Sequence, residues 1–201
     1  MILPAKAYLV RHGATTWSQS GQHTGTTDVP LLPEGEERAR QMGLHLGSIE
    51  FGLVLVSPRK RARRTCELAG LGAHAQVEPD LAEWNYGDYE GLKSAQILKD
   101  NPDWCLFRDG CPGGESPAQV SDRADRLIGK IRSAVGNVAL FSHGHFGRVL
   151  AARWISLPVL EARSFLLDTA CLGVFGYEHD NPDQPVLSLW NYPPSGEPPK
   201  T

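Results

Sequence analysis

Two short apolar runs in this chain end in the same way. Val10-Arg11-His12-Gly13 closes one, and Phe141-Ser142-His143-Gly144 closes the other. Short apolar runs bounded by a polar break read as buried strands, and such strands belong in a sheet covered on both faces. In an open α/β sheet the carboxyl ends of the strands form the rim where ligands bind. Glycine after each histidine lets backbone approach a ligand closely. A single histidine at a strand end is ordinary, but a pair delivered to one rim beside Arg11 points to a site.

The rest of the chain alternates strand and helix. Strands are expected at 5–10, 53–56, 75–78, 138–141, 172–177 and 186–190. Helices are expected at 33–47, 94–100, 116–135 and 145–155, and from Ser57-Pro58 to about residue 69, where Gly70 stops the run. Ser57-Pro58 and Ser116-Pro117 each read as an N-cap with Pro at the first helical position. This pattern gives an α/β fold, a three-layer α/β/α sandwich with a mostly parallel sheet of about six strands. The last two strands leave no room for a helix between them, so one should run antiparallel. Residues 82–115 are rich in Gly, Asp and Trp and read as an insertion lying over the sheet. Residues 1–192 are expected to form one domain, and the Pro-rich stretch 193–201 a disordered tail.

Composition narrows the function classes. The 201 residues carry 20 basic and 23 acidic side chains, a net charge of −3. Neither a nucleic acid nor a membrane surface is expected as a partner, and no stretch approaches the ~18 apolar residues of a membrane helix. Self-association is left open. Cys66, Cys105, Cys111 and Cys171 form no CxxC pair, so reduced thiols and a cytoplasmic location are expected. His143-Gly144-His145 offers a ligand pair for a metal. Arg11 and Arg61 would repel the cation, however, and no carboxylate adjoins either histidine in sequence, so neither metal nor cofactor is expected.

Arg61 lies in a dense basic stretch, Arg59-Lys60-Arg61-Ala62-Arg63-Arg64. Cations near a helix N-terminus oppose its partial positive charge, a cost that makes sense beside an anion. Arg61 precedes a small residue and can face inward, whereas Lys60 and Arg64 are expected to face solvent. Glu83, in Glu83-Trp84-Asn85-Tyr86-Gly87-Asp88-Tyr89-Glu90-Gly91, is a carboxyl among aromatic residues and a candidate proton donor. Asp88 and Glu90 are its rivals.

Taken together, Arg11-His12-Gly13, Ser57-Pro58 with Arg61-Ala62 and Thr65, Glu83 before Gly87 and Gly91, and His143-Gly144 resemble the histidine phosphatase (phosphoglycerate mutase-like) superfamily in order and spacing. Trp17-Ser18-Gln19-Ser20-Gly21-Gln22, Thr24-Gly25, Tyr86-Gly87-Asp88-Tyr89-Glu90-Gly91, Arg108-Asp109-Gly110-Cys111 and His145 are similar to its sedoheptulose-bisphosphatase branch. The chain is shorter than those enzymes. The resemblance implies a phosphomonoesterase acting on a small phosphorylated metabolite, a sugar phosphate or bisphosphate, through a phosphohistidine. It implies His12 as nucleophile, Glu83 as proton donor, and Arg11, Arg61 and His143 as holders of the phosphoryl oxygens. Ser18, Thr24, Tyr86, Gly144 and His145 would contact substrate. Ser18 stands where mutases commonly carry Asn, with a shorter reach. Two rivals stand beside this reading: a phosphoglycerate mutase using the same pocket, and a non-catalytic phosphate-binding module.

Overall fold

The computed structural model describes residues 4–196. Six strands form one sheet: β1 (Ala7–Arg11), β2 (Phe51–Val56), β3 (Ala75–Val77), β4 (Asn137–Ser142), β5 (Leu172–Tyr177) and β6 (Pro185–Tyr192). Their order is β3-β2-β4-β1-β5-β6. β1 to β4 are mutually parallel, and β5 pairs antiparallel with both neighbours. β5 is therefore the one reversed strand, as the missing helix between β5 and β6 requires.

Helices α1 (Thr16–Ser20), α2 (Pro33–Leu46), α3 (Lys60–Leu68), α4 (Ser94–Asp100), α5 (Leu106–Asp109), α6 (Pro117–Arg132) and α7 (Gly144–Trp154) fill the gaps between strands. The alternation of side chains along each strand splits the core in two. Val10, Val54, Val56, Ala139 and Phe141 pack with Met42 and Leu46 of α2 and Ala62 and Cys66 of α3. Leu9, Leu55, Val138, Leu140 and Phe175 pack with Leu127 and Ile131 of α6 and Val149 and Trp154 of α7. Helices thus cover both faces, and the central strands β1, β4 and β5 are largely buried, whereas the edge strands β3 and β6 keep exposed residues.

α6 begins as its sequence suggests. Ser116 Oγ accepts the Gln119 N–H at 3.3 Å and Gln119 Oε1 accepts the Ser116 N–H at 2.8 Å, a reciprocal capping box. It ends three residues short of 135. The other Ser-Pro pair behaves differently. α3 starts at Lys60 with Arg59 as its N-cap and no side-chain cap, so Ser57 does not cap it. Residues 82–115 are also not an overlay. Trp84, Tyr86, Leu106, Phe107 and Cys111 all join the larger core cluster, and α5 forms inside the segment.

Pro193 to Gly196 form a turn, with the Gly196 N–H on Pro193 O at 3.0 Å and His45 Nε2 2.6 Å from Pro194 O. The remainder of the expected tail, 197–201, lies outside the described residues. Among the described residues no helix is long and apolar enough to cross a membrane, and all four cysteines are free thiols.

Candidate active site

Sheet register brings three strand ends together. Arg11 pairs with Ser142 across β1 and β4, and Val56 with Phe141 across β2 and β4. The residues that follow, His12, His143 and Ser57, therefore emerge side by side. The His12 N–H donates to Ser142 O at 3.0 Å and the Ser57 N–H to Phe141 O at 2.9 Å, which extends the ladder to the rim.

His12 is 4% exposed. Its Nδ1 lies 2.7 Å from Gly13 O. A carbonyl only accepts, so Nδ1 carries the proton and Nε2 keeps its lone pair. Burial holds the His12 pKa well below 6.5, and the charges of Arg61 and then Arg11 lower it further. The ring is accordingly neutral. Gly13 donates its N–H to Thr65 Oγ1 at 3.0 Å, and Thr65 in turn donates to Arg61 O. A Cβ on Gly13 would lie 2.4 Å from Gly35 O. Its smallness serves close backbone packing against α2 as well as the rim.

His143 is fully buried, its ring centroid 5.2 Å from that of His12. Its Nε2 meets Ser57 Oγ at 2.7 Å. Burial, with Arg61 and His12 adding to it, pushes its pKa well below 6.5. Arg61 is 1% exposed and faces inward as expected, while Lys60 and Arg64 face solvent. Its Nη atoms donate to the carbonyls of Thr24, Gly25 and Thr27, tying down the loop before α2. Arg11 Nη1 donates to Leu167 O at 2.6 Å. Four buried side-chain nitrogens in this neighbourhood have no partner among the described residues: Arg11 Nε, Arg59 Nε, Arg61 Nε and His143 Nδ1. Unpaired buried donors are costly, and a cluster of them is what an anion would satisfy.

Glu83 closes the opposite side. Its Oε1 accepts the N–H groups of Trp84 and Phe146 at 2.9 and 2.8 Å, and its Oε2 accepts that of His145 at 3.1 Å. The carboxyl group therefore sits on the first turn of α7, where the helix dipole favours negative charge. Its rival Glu90 is committed elsewhere, accepting the Gly25 and Thr27 N–H groups. Neither Glu90 nor Asp88 lines the pocket.

These groups surround an open pocket of about 280 Å³. Eight of the ten residues expected from sequence line it; Arg61 and His143 are not among the lining residues, although the His143 ring packs against that of His12. Ser18 lines it with a committed hydroxyl, which accepts the Thr15 N–H and donates to Thr15 O in the cap of α1. Thr24 lines it and gives its carbonyl to Arg61. Tyr86 Oη meets His145 Nδ1 at 2.6 Å. Gly144 is pressed against Arg11, since a Cβ there would lie 3.1 Å from Arg11 Cζ. Sequence reasoning missed His23, Arg148 and Asp168 in the lining. The i,i+3 spacing of His145 and Arg148 on α7 was a usable signal for Arg148; no sequence signal pointed to His23 or Asp168.

A family model described as histidine phosphatase superfamily (branch 1) matches residues 7–192. An acid phosphatase of Mycobacterium tuberculosis is 43% identical over 189 residues, covering 92% of this chain and 93% of that one. A sedoheptulose 1,7-bisphosphatase of Saccharomyces cerevisiae is 32% identical over 252 residues, covering 93% of each. Among solved structures, the product of an open reading frame of Mycobacterium tuberculosis superposes with a TM-score of 0.87 at 41% identity, covering 94% of this chain and 98% of that one.

Proposed function

From the premise that this chain belongs to the histidine phosphatase superfamily, we propose that it is a phosphomonoesterase that hydrolyses a small sugar phosphate or bisphosphate through a phosphohistidine at His12. The observation that carries this reading is the state of His12. A neutral imidazole with Nδ1 tied to Gly13 O offers its Nε2 lone pair inside a pocket walled by Arg11 and Glu83.

Phosphoryl transfer asks mainly for positioning and charge stabilisation. The Nε2 lone pair attacks phosphorus, the bond to the leaving oxygen breaks, and Glu83 supplies that oxygen with a proton. The free N–H groups of Arg11, Arg61 and His143 stabilise charge on the phosphoryl oxygens, the guanidinium groups matching phosphate geometry. Water then attacks phosphorus with Glu83 as base, releasing inorganic phosphate and restoring neutral His12. The yeast relative's action on a sugar bisphosphate and the polar pocket support a sugar-sized substrate. The free thiols support a reducing compartment.

Rapid quench with labelled substrate should trap an acid-labile phosphoryl adduct on His12, and His12→Ala should abolish turnover. Normal turnover by that variant would overturn the mechanism. A mutase would use the same pocket, so free phosphate from a sugar-phosphate panel is measured beside 2-phosphoglycerate formed with 2,3-bisphosphoglycerate present. Isomerisation well above phosphate release would replace the hydrolase reading. Failure to turn over p-nitrophenyl phosphate or any sugar phosphate would leave a binding module.

A further inference from the structure

We propose that Ser57 is a positioning residue that fixes the ring of His143 with its proton on Nδ1, so that His143 presents a donor to the phosphoryl group. The inference rests on the reading that a phosphoryl group is bound beside His12.

Ser57 and His143 are both fully buried, and Oγ stands 2.7 Å from Nε2. Which of the two donates follows from the rest of the contacts. Ser57 Oγ already accepts the Arg59 N–H at 3.3 Å. Its single proton has one acceptor in reach among the described residues, the Nε2 lone pair of His143. The ring is neutral, because burial and the charges of Arg61 and Arg11 disfavour its cation. A neutral imidazole that accepts at Nε2 carries its proton on Nδ1. Nδ1 is the nitrogen left buried without a partner.

The opposite tautomer would place a lone pair on Nδ1 and turn it toward an incoming phosphate dianion. It would also leave the Ser57 hydroxyl proton with nothing to bond. Both consequences are unfavourable in a site whose other unpaired atoms are arginine donors. His12 carries its proton on Nδ1 as well, yet there Nδ1 is the tied nitrogen. One tautomer thus yields two roles. Tying Nδ1 to Gly13 frees a lone pair on His12, and tying Nε2 to Ser57 leaves a buried, unpartnered N–H on His143.

The fold fixes this arrangement. The Ser57 N–H extends the β2–β4 ladder to Phe141 O, two residues before His143, so the hydroxyl is held by main-chain pairing rather than by a mobile loop. This accounts for the serine of Ser57-Pro58, which leaves α3 uncapped.

The test is a long-range proton–nitrogen correlation spectrum of the wild-type protein with labelled histidine, His143 being assigned by its loss in His143→Gln. A protonated Nδ1 and an unprotonated Nε2 are expected for His143. The reverse pattern overturns the proposal without any variant of Ser57 and without reference to turnover, so it is separable from failure of the His12 test. In Ser57→Ala the tautomer preference should be lost and the affinity for orthovanadate should fall about tenfold, one charge-assisted hydrogen bond's worth, while Ser57→Thr should keep both. A folded Ser57→Ala with wild-type spectrum and vanadate affinity would also overturn it. If that variant does not fold, the wild-type spectrum alone decides.

Discussion

The rings of His12 and His143 stand 5.2 Å apart with their planes at 61°, and burial keeps both below their ordinary pKa. His23 and His145 are lowered too, also by burial first. A histidine whose folded pKa lies below 6.5 takes up its proton first in the unfolded chain. Stability should therefore fall as the pH drops below about 6.5, by up to ~1.4 kcal/mol per pH unit for each such group. Urea unfolding at pH 7.5 and pH 5.0 measures the loss. His145→Gln should show a smaller loss than wild type, and equal losses would remove His145 from this set.

The same electrostatics bears on rate. Arg11 is among the charges that keep His12 neutral. Replacing it by Gln removes one cation, so protonation of His12 should set in at higher pH. The acid limb of kcat/KM should move upward in Arg11→Gln, on top of a loss in absolute rate. An acid limb left in place would mean that His12 does not set it.

Glu83 receives three backbone N–H groups through its two oxygens. Glu83→Gln cannot satisfy all three and cannot release a proton. Turnover of alkyl phosphates should fall about 10²–10⁴-fold further than that of p-nitrophenyl phosphate, whose leaving group needs no proton. Equal losses on both substrates would exclude Glu83 as the acid.

Gly144 separates affinity from stability. Alanine at a helical position ordinarily stabilises by up to ~1 kcal/mol relative to glycine. Here its Cβ would press on Arg11 Cζ at 3.1 Å and Nε at 3.2 Å. Gly144→Ala should keep its Tm while the inhibition constant for inorganic phosphate rises about tenfold, the scale of one weakened charge-assisted hydrogen bond. Unchanged phosphate inhibition would show that Arg11 does not grip the anion.

Arg123 of α6 holds the backbone that presents Glu83. It grips both oxygens of Glu115 at 2.8 and 2.9 Å and donates to Asp80 O and Ala82 O. Both side chains are largely buried. Arg123→Ala removes the ion-pair partner of Glu115, leaving its Oε2 only the Asn85 N–H, and should cost about 3–5 kcal/mol, read as a lower urea midpoint. A loss below about 1 kcal/mol would mean that the pair is effectively solvated.

The periodic parts of the chain were legible from sequence because their signal is local. The runs ending at Arg11 and Ser142 read as strands because their alternating faces are both buried. α4 was read at its full extent, and α6 had its Ser116 cap and Gln119 in place. The two His-Gly strand ends and Arg61 turned inward were recoverable from residue type and spacing, whereas Glu83 was one of three candidate carboxylates by that route and was singled out by the family resemblance.

What the tertiary structure decided concerns partners distant in the chain. The sequence Ser57-Pro58 is a sound helix start, yet Ser57 Oγ spends its hydrogen bond on His143, 86 residues away. Outside α4, residues 82–115 lack periodicity, so the burial of their aromatic side chains was invisible until Trp84 and Phe107 met the α6–α7 face. Gly13 and Gly144 read as room for a ligand, and each proved pressed against protein as well, Gly35 in one case and Arg11 in the other. Local sequence determines which backbone geometry a segment prefers, since steric and hydrogen-bond constraints act within a few residues. Which side chain a buried polar atom finds is decided by the register of the closed sheet, where each unpaired donor must take what packing brings within reach.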